Sequence, residues 1–181
     1  MPLPVDRIYT SEDYWNLEPD RRAELIDGKL YDMAAPDFIH QKLVSELLMA
    51  FKLYVRERGG RCEVLPAPFA VNLDAEDKNW VEPDISVICD SGKIGSRGCI
   101  GAPDLIIEVV SPSTRRHDYN RKNTLYTEAG VREYWIVDPQ KERATVYYYD
   151  EDGAPVIYPF DSPVPCGIFE GLEITIADIL R

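Results

Sequence analysis

Histidine is nearly absent from this chain: among 181 residues only His40 and His117 occur. A metal centre built from several imidazoles is thereby excluded. Cysteine is equally sparse. Cys62, Cys89, Cys99 and Cys166 form no C-x-x-C pair, so no zinc-binding spacing exists. The opening MPLPVDRIYTSEDYW has no basic segment followed by an apolar one. No secretory signal is therefore expected, the cytoplasm is the expected compartment, and disulfides are not expected. The thiols are expected to pack as small apolar groups. No run of 18 apolar residues occurs, which excludes a membrane-spanning helix. Basic residues are few, with 20 Lys and Arg against 32 Asp and Glu, a net charge of −12. Such a body does not bind nucleic acid over its whole surface, because phosphate neutralisation needs clustered Lys and Arg. A local basic patch is still compatible with it. No G-x-S-x-G elbow is present, and SGKIGSRG is not a Walker loop, so serine-hydrolase and P-loop chemistry are excluded.

What is present reads as one mixed α/β domain over residues 1–181, without repeats, linkers or low-complexity segments. Thr10 or Ser11 caps a short helix through SEDYWNLEPD that Pro19 ends. ELIDGKLYDM places Asp27-Gly28 between apolar alternations, a type I′ hairpin signal. Asp37 caps a long helix with an apolar stripe at Leu43, Leu47, Phe51, Tyr54 and Val55, and Gly59-Gly60 ends it. Strands are expected over 63–73, interrupted by Pro66 and Pro68, and over 85–89. The glycine-rich loop 90–103 is expected to be the most mobile stretch. A strand centred on residues 105–110, a helix ending near Gly130, the strands EYWIVDP and ATVYYYD, PVIYPF and a short helix IADIL follow.

Within that plan one residue is misplaced. Leu105, Ile106, Ile107, Val109 and Val110 form an apolar run typical of a strand buried on both faces, and Glu108 stands in its middle. An ionised carboxylate there costs several kcal/mol unless a cation or a metal compensates it. Asp104 is four residues away, about 13 Å along a strand, too far to share an ion. Asp84 opens another strand in EPDISVIC, 24 residues upstream. If the two strands are neighbours, about 4.8 Å apart, Asp84 and Glu108 can bridge one divalent cation. Alternatively, both acids merely begin or edge strands. Lys122 heads an apolar stripe with Leu125, Tyr126 and Ala129, so it lies on the inward face of its helix. It either reaches the same site or snorkels to solvent. Asp, Glu and Lys converging without His is the equipment of metal-assisted phosphodiester hydrolysis. Carboxylates hold Mg²⁺ or Mn²⁺, and a lysine orients water and offsets developing charge.

With ELIDGKLYDM, His40 opening a helix, EPDISVI, GAPDLIIEVVSPST, the Asp118, Lys122 and Tyr126 series, and GVREYWIVDP, the chain resembles the PD-(D/E)XK nuclease superfamily. Within it the chain is similar to the small Uma-two branch of endonucleases, through most of its length. The resemblance implies a restriction-endonuclease-like core, a central mixed β-sheet flanked by helices with additional antiparallel hairpins. It implies a Mg²⁺- or Mn²⁺-dependent endonuclease acting on nucleic acid, DNA in the first place. Pro83-Asp84 takes the place of the PD and Glu108 that of the acidic member. Val110 stands where the general pattern has lysine, and the resemblance implies that the lysine has migrated to Lys122. Glu24 and His40 match family positions near the site. Read from the residues alone, Glu24 either completes a metal shell or is solvated, and His40 serves either chemistry or helix capping and packing. The Tyr126 ring belongs to the core, with its hydroxyl near Lys122 or a phosphate.

Arg115, Arg116 and Arg121 lie beside Lys122 and either contact phosphates flanking the scissile bond or form a solvated turn. A homodimer suits an enzyme that cuts both strands of a duplex. Two other readings stay open: a catalytically silent nuclease fold that binds nucleic acid or protein, and a hydrolase of small phosphodiesters.

Overall fold

The computed structural model describes residues 7–73, 77–112 and 117–181. Thr10 and Asp13 close a reciprocal capping box at the start of helix α1 (Ser11–Trp15). The helix stops before reaching Pro19, since Asn16 caps it and Glu18 is biased away from helical geometry by the proline after it. Strands β1 (Ala23–Ile26) and β2 (Lys29–Asp32) form the expected hairpin, with Asp27 and Gly28 at φ 50° and 71°. Helix α2 (Phe38–Glu57) begins at its Asp37 cap, and Gly59 follows its end at φ 61°. The expected strand over 63–73 is divided into β3 (Glu63–Pro66) and β4 (Val71–Asn72), which join different sheets. Pro66 and Pro68 lack the N–H donors that continuous pairing needs.

After β5 (Ile85–Ile88), the stretch expected to be mobile is built into structure. It carries β6 (Ile94–Gly95) and β7 (Gly98–Ile100), which pair with each other, and β7 also pairs with β4. Gly98 serves close approach: a Cβ there would lie 2.0 Å from the Ala70 carbonyl oxygen. Strand β8 (Leu105–Val109) leads to a π-helical turn (His117–Lys122) and helix α3 (Asn123–Ala129), which Gly130 ends at φ 87°. Strands β9 (Glu133–Asp138), β10 (Arg143–Tyr148), β11 (Pro155–Pro159), β12 (Pro163–Pro165) and β13 (Glu173–Thr175) precede helix α4 (Ile176–Ile179).

The central sheet has the order β11-β10-β9-β8-β5-β3, and β8 with β9 is its parallel pair. The pleat sorts the strand residues onto two faces. Leu105, Ile107, Val109, Ile85, Val87, Trp135 and Val137 pack beneath Leu43, Leu47, Phe51 and Val55 of α2. Each such fully buried side chain contributes about 1.5–3 kcal/mol, enough to seat the helix firmly. On the other face Ile106, Val110, Ile88, Tyr134 and Ile136 meet Leu125 and Tyr126 of α3 and Ile26 of the hairpin. The architecture is thus a mixed sheet between helices. One expectation about cysteine is overturned: Cys62 and Cys89 form a disulfide. The antiparallel register of β3 on β5 pairs Glu63 with Ile88, which makes Cys62 and Cys89 the next cross-strand pair, a proximity that sequence spacing does not reveal. Cys99 and Cys166 are buried thiols, as expected.

Candidate active site

Glu108 shares its face of the sheet with Ile106 and Val110, so its side chain enters the layer between the sheet and α3. It is 5% exposed. Strands β5 and β8 pair antiparallel with Ile85 opposite Ile107, and Asp84 therefore comes opposite Glu108 on the same face. The Val109 N–H donates to Asp84 Oδ2 at 2.8 Å, which lays the Asp84 carboxylate over the end of β8. Asp104, by contrast, accepts from the Cys89 N–H and pairs with Arg132, away from this cluster.

Lys122 enters from the last position of the π-helical turn. Its ammonium donates to Glu108 Oε1 at 2.8 Å and to Glu24 Oε1 at 2.9 Å, and it is 5% exposed, so it does not snorkel. The Tyr126 hydroxyl, one helical turn on, donates to the same Glu108 oxygen at 2.8 Å. Glu24 is buried rather than solvated, and the Glu82 N–H fixes its Oε1 at 3.0 Å. The hairpin thus delivers an acid onto a lysine 98 residues later in the chain.

His40 stands in the first turn of α2, where its own N–H is the group that Asp37 caps. Its ring Nε2 lies 3.2 Å from Asp84 Oδ2. Burial lowers the basicity of this ring, but the hydrogen bond and charge of Asp84 outweigh it and leave the imidazole easier to protonate than usual. Capping and a place at the site therefore coexist in one residue. Sequence reasoning left one acid out of the candidate set. Asp118 is 3% exposed, with Oδ1 3.6 Å from Lys122 Nζ. Its signal was the four-residue spacing to Lys122, which puts both on one helix face.

Three carboxylates, from Glu24, Glu108 and Asp118, thus face a single ammonium, while Asp84 pairs with His40 opposite Glu108. Desolvation pushes the Glu108 carboxyl up to about 8 against the pull of Lys122, and Asp84, Asp118 and Glu24 add repulsion. Burial alone would lower the Lys122 pKa, but Glu108, Glu24 and Asp118 together hold it well above its ordinary value. The surplus of negative charge and the all-oxygen carboxylate donors fit a hard divalent cation such as Mg²⁺ or Mn²⁺. Among the described residues no three His, Cys, Asp or Glu side chains are already grouped as ligands of a metal. At Glu108 the cation in contact is Lys122.

Arg121 is exposed next to Lys122, its guanidinium 4.9 Å from the centroid of the Tyr31 ring. With Asn120 and Thr124 it lines a cavity of about 370 Å³. Arg115 and Arg116 lie outside the described residues. Among the described residues no helix is long and apolar enough to cross a membrane.

Comparison with known proteins agrees with this architecture. The model of the Uma2 family, described as "Putative restriction endonuclease", matches residues 11–177. The uncharacterized protein slr1290 of Synechocystis sp. is 28% identical over 145 residues, covering 78% of this chain and 75% of that protein. A crystal structure of "a putative nuclease belonging to DUF820" from Anabaena variabilis aligns with a TM-score of 0.76 at 22% identity. That alignment covers 94% of this chain and 96% of the other. At this identity the likeness speaks for the fold.

Proposed function

This chain belongs to the Uma2 family, and on that premise we propose that the Glu108 cluster is the active site of a metal-dependent endonuclease. Its substrate is nucleic acid, DNA in the first place, and its reaction is hydrolysis of a phosphodiester bond. The observation that carries the reading is the meeting of Asp84, Glu108 and Lys122 at the ends of β5 and β8. A structural ion pair needs one acid for one lysine. Here the acids are in excess, and an excess of buried carboxylate is stable only when a proton or a further cation neutralises it.

Asp84 and Glu108 would hold the ion, Mg²⁺ or Mn²⁺. When bound, such an ion polarises a phosphoryl oxygen and lowers the pKa of a bound water. The protein's own groups do the rest. Lys122 orients the attacking water and offsets charge developing on the phosphoryl oxygens. His40 steadies the Asp84 carboxylate, and Tyr126 steadies that of Glu108. Glu24 holds Lys122 from the hairpin side. Arg121 contacts a phosphate beside the scissile one, and Arg115 and Arg116 extend that contact. The body is acidic, so binding rests on this local patch. Cutting both strands of a duplex suits a homodimer.

One observation favours a second reading. Lys122 already neutralises Glu108 in contact, as it would in a silent nuclease fold that binds nucleic acid or protein without cutting. Titration calorimetry with Mn²⁺ and nicking of supercoiled plasmid in Mg²⁺ or Mn²⁺ separate the two. The endonuclease reading expects metal binding and nicking by the wild type and neither by Glu108→Ala. A wild type that binds DNA but neither metal nor nicks it supports the silent fold.

A further inference from the structure

Lys122 carries three N–H donors, and three buried carboxylates face it. Neutralising one ammonium takes one of them. Burying the second and third is costly, so their presence calls for a reason beyond pairing. The geometry supplies one. If Glu108 serves a divalent ion, its grip on Lys122 weakens, and a lysine on a flexible four-carbon stem then loses its place unless something else holds it. Glu24 and Asp118 are the groups in position to do so.

We propose that Asp118 is a positioning residue that, together with Glu24, keeps the Lys122 ammonium beside Glu108 when Glu108 turns to a divalent cation. This rests on the endonuclease reading of the same site. Asp118 reaches Lys122 from four residues back on the same turn, at 3.6 Å. Its main chain is anchored independently of Lys122, because the Tyr134 hydroxyl of β9 donates to the Asp118 backbone carbonyl at 3.2 Å. Tyr134 is itself packed edge-on against Tyr126, with ring centroids 4.8 Å apart. The sheet thus holds Asp118, and the Glu82 N–H holds Glu24. Lys122 is braced by two separate parts of the fold. Such bracing matters for rate, since a misplacement of about 1 Å costs about 100-fold.

The test measures Lys122 directly, by reductive methylation read by mass spectrometry with and without Mn²⁺. In the wild type Lys122 should stay protected in both conditions. In Asp118→Asn, of nearly the same shape, it should stay protected without Mn²⁺ and become labelled about tenfold faster with it. The same variant should lose about 10–100-fold in kcat for plasmid nicking, with KM for DNA nearly unchanged. Asp118→Glu should recover part of both effects, and in a Lys122→Met background Asp118→Asn should add no further loss. Labelling of Lys122 in Asp118→Asn that ignores Mn²⁺, or rate losses that add in the double variant, would overturn the role of Asp118 alone. If Asp118→Asn does not fold, unchanged labelling and kcat in the folded Asp118→Glu variant would do the same. A wild type that neither binds Mn²⁺ nor nicks DNA would instead remove the endonuclease reading, and this inference with it.

Discussion

Lys122 Nζ lies 2.8 Å from Glu108 Oε1, and each of the two side chains is only 5% exposed. The buried acid in the apolar run therefore has a protein cation in direct contact, with further acids behind it. That relationship makes the chemistry and the stability of the site inseparable.

Replacing Lys122 by Met keeps most of the stem volume and removes the charge. Turnover on plasmid should fall by roughly 10²–10³-fold, the scale for losing one electrostatic stabiliser. Mn²⁺ affinity, measured by calorimetry, should rise, because a competing cation has left Glu108. A variant with wild-type turnover would show that the lysine serves the fold alone.

Glu108, together with the His40 imidazole, should shape the pH dependence of folding near neutrality. The Glu108 carboxyl is pushed up to about 8 by burial, above its unfolded value, so the fold disfavours the ionised form. Stability should accordingly fall as pH rises from about 4.5 through about 8 and level off above. Lys122, held well above its ordinary value, stays charged through that window and adds no slope. Glu108→Gln should flatten the fall and melt a few degrees higher near pH 8, where about 1 kcal/mol corresponds to about 2–4 °C. Added Mn²⁺ should raise the wild-type melting temperature and leave the variant nearly unmoved. Melting curves from pH 4 to 9 with and without metal check both halves.

Salt should weaken DNA binding only mildly, because few cations stand beside the site on an acidic body. The slope of log K against log salt should correspond to about three or four phosphate contacts at about 0.9 each. Arg121→Ala should reduce it by about 0.9 if the guanidinium above Tyr31 meets a phosphate. An unchanged slope would place the DNA elsewhere.

The Cys62–Cys89 bridge closes a separation of 27 residues that includes Asp84. In the chain-entropy account a loop of this length stabilises by roughly 3–4 kcal/mol. Dithiothreitol should lower the melting temperature of the wild type, and Cys62→Ala should melt at the reduced value with or without it. Identical melts of the oxidised and reduced wild type would show that the bridge adds nothing to stability.

The sequence by itself determined whatever depends on neighbours along the chain. The Asp37 cap, the Asp27-Gly28 turn and the helical stripe from Lys122 to Tyr126 all formed as local chemistry requires. The lone acid in an apolar run marked Glu108 without any knowledge of its partners, because burial follows from the pattern around it. Only the tertiary structure decided which groups meet. Strand register puts Asp84 opposite Glu108, hairpin packing brings Glu24 to Lys122, and the pairing of β3 with β5 joins Cys62 to Cys89. The glycine-rich stretch became a small sheet for the same reason, since Gly98 is there for the Ala70 carbonyl, a neighbour 28 residues away. Cross-strand and cross-layer contacts depend on register and docking, and those are set by the packing of the whole core rather than by any local run of residues.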